Sequence, residues 1–198
     1  MPIKNTRSRY GWISMGLHWL MALVVIAMFA LGIWMRELSY YDPWYQDAPA
    51  IHKSIGIILF TLLIGRIIWR NINIRPLDDP ALKRWERITS HLAHFALYGL
   101  MLALMVAGYL ISTADGRPIQ VFDWFSVPAT LYGIAEQEDI AGEIHEILAW
   151  ALILLAGVHA LAALKHHFIN RDSTLLKMLG RDAKNITPVH STEKENGL

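Results

Sequence analysis

YGWISMGLHWLMALVVIAMFALGIWM, residues 10–35, runs for twenty-six positions without a Lys, Arg, Asp or Glu. A helix that crosses about 30 Å of hydrocarbon needs roughly 20 apolar residues at about 1.5 Å each, and this stretch supplies them. Further gaps without charge run from Ile88 to Ala114 and from Ile147 to Leu164. A shorter one, Ser54 to Gly65, becomes a full span when Lys53 and Arg66 sit near its ends. The reading is an all-α, integral membrane four-helix bundle. Its spans are near Ile13–Met35, Ile51–Trp69, His91–Ser112 and Glu143–Lys165. The bundle takes residues 1–180, and 181–198 form a polar tail. The first stretch exceeds the 7–15 residues of a signal-peptide core and has no small-x-small cleavage site after it, so it reads as a retained span.

Composition agrees. The 198 residues suit one domain, 54% are hydrophobic and only 18% charged, against about 25% in a soluble domain. The absence of cysteine excludes disulfides, thiolate zinc sites, iron–sulfur clusters and covalent c-type haem. A net charge of +1 gives no electrostatic footprint for nucleic acid.

Basic residues set the orientation. Lys4, Arg7 and Arg9 precede the first span, and six of Lys or Arg lie between Arg66 and Arg87. Six more follow from Lys165 onward, whereas Arg36, Lys53 and Arg117 are alone on the other side. Both termini are therefore expected in the cytoplasm. The two outward loops are acidic, and a short surface helix is expected within 129–140. Lys53 and Arg117 would form a local positive mouth in that acidic surround.

Nine histidines are many for so apolar a chain. Ionisable groups at membrane depth are costly and usually functional, and neutral imidazole is a common haem-iron ligand. His145 and His159 are 14 residues apart, which puts them within about 40° of one helix face and roughly 21 Å apart along it. His18 matches the depth of His159, and His52 that of His145. Two haem irons with two imidazoles each use all four. Arg66, 14 residues after His52, falls at the depth of the cytoplasmic haem and suits a propionate there. Arg36, five turns after His18, suits the outer one. His91 and His94, at the cytoplasmic start of the third span, read as a quinone site, with zinc or plain interfacial polarity as alternatives. His166 and His167 lie just beyond the fourth span. A His-lined metal transporter is the distant rival for the whole pattern.

Several stretches together resemble the prokaryotic cytochrome b561 family. They are Gly-Leu-His-Trp at 16–19, His-Lys-Ser-Ile-Gly at 52–56, Gly-Arg-Ile-Ile-Trp-Arg at 65–70 and His-Leu-Ala-His-Phe-Ala-Leu-Tyr at 91–98. His145, Gly-Val-His-Ala at 157–160 and the run from His166 to Met178 complete them. The resemblance implies a dihaem b cytochrome of the bacterial inner membrane, with two haem b ligated by His18, His52, His145 and His159. It further implies exchange of electrons with the ubiquinone pool. One branch of the family resembles a superoxide oxidase, passing electrons from superoxide to ubiquinone. The alternative is a relay subunit or carrier for a separate periplasmic donor protein.

Overall fold

A computed structural model describes residues 2–80 and 82–181. The expected tail, apart from Arg181, lies outside the described residues. Four long helices make the body: α1 (Trp12–Arg36), α2 (Asp47–Ile72), α3 (Arg84–Thr113) and α4 (Gln137–Lys165). A π-helical turn, His166–Asn170, prolongs α4, and a short α5 (Thr174–Met178) follows. All four long helices are apolar enough to cross a membrane. α1 exceeds the span read from charge gaps by one residue at each end, and α2, α3 and α4 start several residues earlier than theirs, because polar turns continue the helix beyond the apolar stretch without interrupting its backbone hydrogen bonds. α2 begins at Asp47 and α3 at Arg84, each a turn or more outside the expected limits.

The bundle is apolar outward. Leu23, Leu154 and Leu161 are 68%, 65% and 67% exposed, an arrangement that lipid accommodates and water does not. The packed interior is small. Met21, Leu59 and Leu63 form its centre, with Val24, Val25, Ile67, Tyr98, Met101 and Met105 against them. This core joins α1, α2 and α3. α3 packs most extensively on α4 and α1 on α2, whereas α1 and α4 touch at few points. Paired imidazoles stand where α4 faces α1 and α2.

The α3–α4 loop departs from expectation. No surface helix forms within 129–140; the only helical residues there, 137–140, are the first turn of α4. The loop instead carries an antiparallel hairpin of β1 (Ile119–Val121) and β2 (Phe125–Val127), with Val121 opposite Phe125. Phe122 and Asp123 both adopt left-handed backbone, with φ of 43° and 57°, which the tight reversal demands. Alternation over three residues per strand is too short to announce itself in sequence. Ile119 and Val121 are buried, and the Ser54 hydroxyl of α2 donates to the Gln120 carbonyl of β1 and accepts from the Phe122 N–H in the reversal. The hairpin thereby caps α2.

At the end that holds both ends of the described chain, a polar junction ties three segments together. Asp79, in the α2–α3 connection, accepts hydrogen bonds from the Ser173 N–H at 2.9 Å and its hydroxyl at 2.5 Å. Lys177 donates to the Leu77 carbonyl at 2.7 Å, and the Trp19 indole donates to the Met178 carbonyl at 3.0 Å. Asp79, Ser173 and Lys177 are all buried. Hydrogen bonds to a buried charged group contribute about 1.5–3 kcal/mol. Asp79→Ala is therefore expected to release residues 171–181 from the bundle, read as faster protease cleavage there with the four long helices intact. Unchanged cleavage would show that α5 is held by other contacts.

Candidate functional site

Two pairs of imidazoles face each other, one between α1 and α4 and one between α2 and α4. His18 of α1 and His159 of α4 have ring centroids 6.3 Å apart, with planes at 81°. His52 of α2 and His145 of α4 have centroids 6.3 Å apart, with planes at 68°. Fourteen residues separate the two α4 members, so one helix face carries one member of each pair. The expected pairings therefore meet in space, and α1 and α2 supply one partner each.

This separation has chemical content. An imidazole nitrogen sits about 2 Å from a first-row metal. Two such rings bound on opposite sides of one metal have centroids roughly 6 Å apart. Among the described residues no three His, Asp or Glu converge as a set of metal ligands. Ring pairs suit a metal whose remaining positions are filled by a macrocycle, which is what haem supplies.

The outer ends of these rings differ. His145 Nδ1 lies 2.9 Å from the Leu104 carbonyl. A carbonyl only accepts, so Nδ1 carries the proton and Nε2 keeps its lone pair, the tautomer that binds a metal. The ring comes so close to α3 because residue 108 is glycine. A Cβ there would stand 3.0 Å from His145 Cε1 and 3.2 Å from Nδ1. Gly32 does the same more loosely for His52, at 3.4 Å from Cε1. His52 Nδ1 is buried and has no hydrogen-bond partner among the described residues, and a bound ligand is what would complete such a nitrogen.

His18 stands in the opposite tautomer. Arg66 Nη2 is 3.0 Å from His18 Nδ1, and Arg66 Nε donates to the Tyr98 hydroxyl at 2.8 Å. A guanidinium has no acceptor, so His18 Nδ1 accepts and Nε2 bears the proton. A metal held at Nε2 would require the proton on Nδ1, which this hydrogen bond does not allow. With haem bound there, Arg66 would be free to hold an anionic group such as a propionate.

The remaining expected residues fall apart into distinct places. His94 joins the His18–His159 pair, its centroid 5.1 Å from that of His159. His91 is exposed and meets none of these rings. Arg36 forms an ion pair with Glu146, the neighbour of His145, and so sits over the outer pair. Arg117 does not contribute to a positive mouth. It binds Asp115, with Nε at 2.5 Å from the carboxylate, in a fully exposed turn. Hydrogen bonds from Arg117 hold the Asp115 carboxyl below its ordinary range, and Asp115 in turn raises Arg117. The local charge there is cancelled.

Tyr98 is the residue that sequence reading passed over. It lies one turn after His94, and the Arg66 and Arg70 guanidiniums sit 5.7 and 5.3 Å from its ring centroid. Its signal was the four-residue step from His94, which puts both on one face of α3.

The chain has close counterparts. The family model described as prokaryotic cytochrome b561 matches residues 9–181. Cytochrome b561 homolog 2 of Escherichia coli (strain K12) is 51% identical over 183 residues, 92% of this chain and 97% of that protein. Probable superoxide oxidase CybB of Yersinia pestis is 30% identical over 176 residues, 86% of this chain and 96% of its own. Cytochrome b561 homolog 1 of Escherichia coli (strain K12) is 29% identical over 178 residues, 88% and 98% of the two chains.

Proposed function

The chain belongs to the prokaryotic cytochrome b561 family of haem b membrane electron carriers, and from that premise we propose that it passes electrons from superoxide to ubiquinone through two haems b. The observation that carries the two-haem part of this reading is the repeat of one ring separation, 6.3 Å, at two depths of α4; the superoxide part rests on the similarity to the probable superoxide oxidase of Yersinia pestis. His52 and His145 hold the outer haem; His18 and His159 hold the inner one. Haem supplies the one-electron chemistry; the chain fixes ligand positions, tautomers and charge. The charge asymmetry of the loops supports a cytoplasmic location for both termini, in the inner membrane of a bacterium.

The balance is simple. Two superoxide anions give two oxygen molecules and two electrons at the outer face. One quinone takes those two electrons and two protons at the inner face and becomes quinol. His94 and Tyr98 line the inner pair on the α3 side and offer hydrogen-bonding groups for a quinone headgroup. Arg66 donates to the Tyr98 hydroxyl, so it would steady that side of the headgroup's site.

A carrier for a cationic donor protein is the second reading, and the outer electrostatics favour it. Arg36 is paired with Glu146 and Arg117 with Asp115, leaving acidic loops that would dock a positive partner. Stopped-flow haem spectroscopy separates the two. Superoxide is expected to reduce the haems rapidly, and added quinone to yield one quinol per two superoxide consumed. Because the rim is negative, this rate should rise as salt screens the repulsion. Haems that ignore superoxide but accept electrons from a small basic redox protein would replace the first reading by the second.

A further inference from the structure

Between α3 and α4, at the outer end of the bundle, the surface is cut by a groove of about 350 Å³. Its floor is made of small side chains. Ala107 of α3 and Ala141 of α4 lie there, each 5% exposed. Val106, Ile134 and Ile144 stand exposed along its rim. Each helix contributes one face, at steps of three and four residues, and the loop before α4 closes the outer end. Among the described residues, Gln137 is the one polar side chain in this lining.

Gln137 opens α4 and is 8% exposed. Its Nε2 donates to the Leu110 carbonyl at 3.0 Å and to the Leu131 carbonyl at 3.1 Å. Carbonyls only accept, so the amide can stand in one orientation, and both of its N–H groups are used. Oε1 is buried and has no hydrogen-bond partner among the described residues. A buried acceptor in an apolar groove calls for a donor. A lone water is poorly held there. It needs two to four polar partners, and the lining side chains offer this single acceptor.

We propose that this groove is a second, outer site that binds a hydroquinone from the membrane, with a ring hydroxyl donating to Gln137 Oε1 and the tail lying over Ala107 and Ala141. The occupant must be apolar enough for the walls and must bring a donor. A quinone brings only acceptors, and Gln137 has no N–H to spare, so the groove takes the reduced form and refuses the oxidised one. The choice of a hydroquinone among hydroxylated lipids rests on the quinone-pool reading above. Quinol released at the inner face dissolves in the bilayer and reaches the groove from the lipid. His145 follows Gln137 by eight residues, about 12 Å inward along α4. The bound tail therefore lies along the two helices that fix the outer imidazole. Binding involves no transfer of electrons.

The test is photolabelling of the haem-loaded protein in liposomes, held reduced. The probe is a short-chain ubiquinol with a diazirine on its tail. Label is expected within 103–110 or 137–148, and unlabelled ubiquinol should compete for it. Three comparisons follow at equal membrane concentration. The same ring and tail with hydrogen in place of both hydroxyls should compete about tenfold more weakly, because it leaves Oε1 unpaired. Dodecanol, a hydroxyl without a ring, should be weaker than ubiquinol as well. Gln137→Leu, which removes the acceptor, and Ala103→Phe, which fills the groove from an exposed position, should each lose the label while haem content is unchanged.

No label in the groove of the wild type overturns the site, and so does label retained in both variants. Equal competition by the compound without hydroxyls shows an unselective apolar surface and overturns it too. Equal competition by dodecanol assigns the groove to hydroxylated lipids at large and overturns the hydroquinone. Should a variant lose haem, the comparison of the two ring compounds, which needs no substitution, decides. Pre-reduced wild-type haem that ubiquinone cannot reoxidise overturns the quinone-reducing reading instead, and the labelling then stands or falls by its own outcomes.

Discussion

Replacing His159 by alanine removes the inner haem and leaves the outer one, so bound haem falls by about half and the remaining spectrum stays low-spin and six-coordinate. The expectation follows from the ring pairs. His159 faces His18 at ligand-pair separation, and His52 faces His145. His18→Ala should copy the result, whereas His52→Ala and His145→Ala should each remove the other haem. Pyridine haemochrome content per protein, with spectra of the two species, is the measurement. Retention of both haems in His159→Ala would overturn the pairing. His94, at 5.1 Å from His159, would then be the ligand to examine.

Gly108→Val is the second large effect. It should cost the outer haem although residue 108 is not a ligand. The first side-chain atom would already sit 3.0 Å from His145 Cε1, and the valine methyls have no room at all. His145 must then withdraw from α3, losing its hydrogen bond to the Leu104 carbonyl and with it the tautomer that binds iron. Gly108→Ala should show the same defect more weakly, as a lowered affinity for the outer haem. Gly16→Ala is the control, since residue 16 is exposed and nothing lies within 4 Å of a Cβ there. Full outer-haem occupancy in Gly108→Val would mean that the helices separate at little cost.

The spans and the histidine pairs were legible because both are long-range patterns of one residue class. Uncharged runs measure membrane thickness, and a 14-residue step measures depth and face together. What depended on particular contacts was not legible. The role of Gly108 is a distance between two helices and leaves no mark on local composition. His166 and Asp172 are hydrogen-bonded across a π-helical turn and a left-handed Arg171, so their six-residue separation fits no standard periodicity. Arg117 looked like a free cation over the outer entrance because charge counting ignores Asp115, two residues earlier. The hairpin in the same loop escaped because its strands are three residues long and its reversal uses Phe122 and Asp123 rather than glycine.

The depth interval along α4 also has an electrical meaning. His145 and His159 stand about 21 Å apart, roughly two-thirds of a hydrocarbon layer about 30 Å thick. An electron that travels inward between them carries most of a unit charge through the membrane field. A full charge is worth about 2.3 kcal/mol per 100 mV, so a negative-inside potential opposes each inward transfer by roughly 1.5 kcal/mol per 100 mV. On the proposed inward direction of electron flow, turnover charges the membrane and slows as the voltage it builds pushes back. With electrons taking that route, spacing on a single helix would make the molecule a small current source, whose reach is set by how far apart its two imidazoles sit.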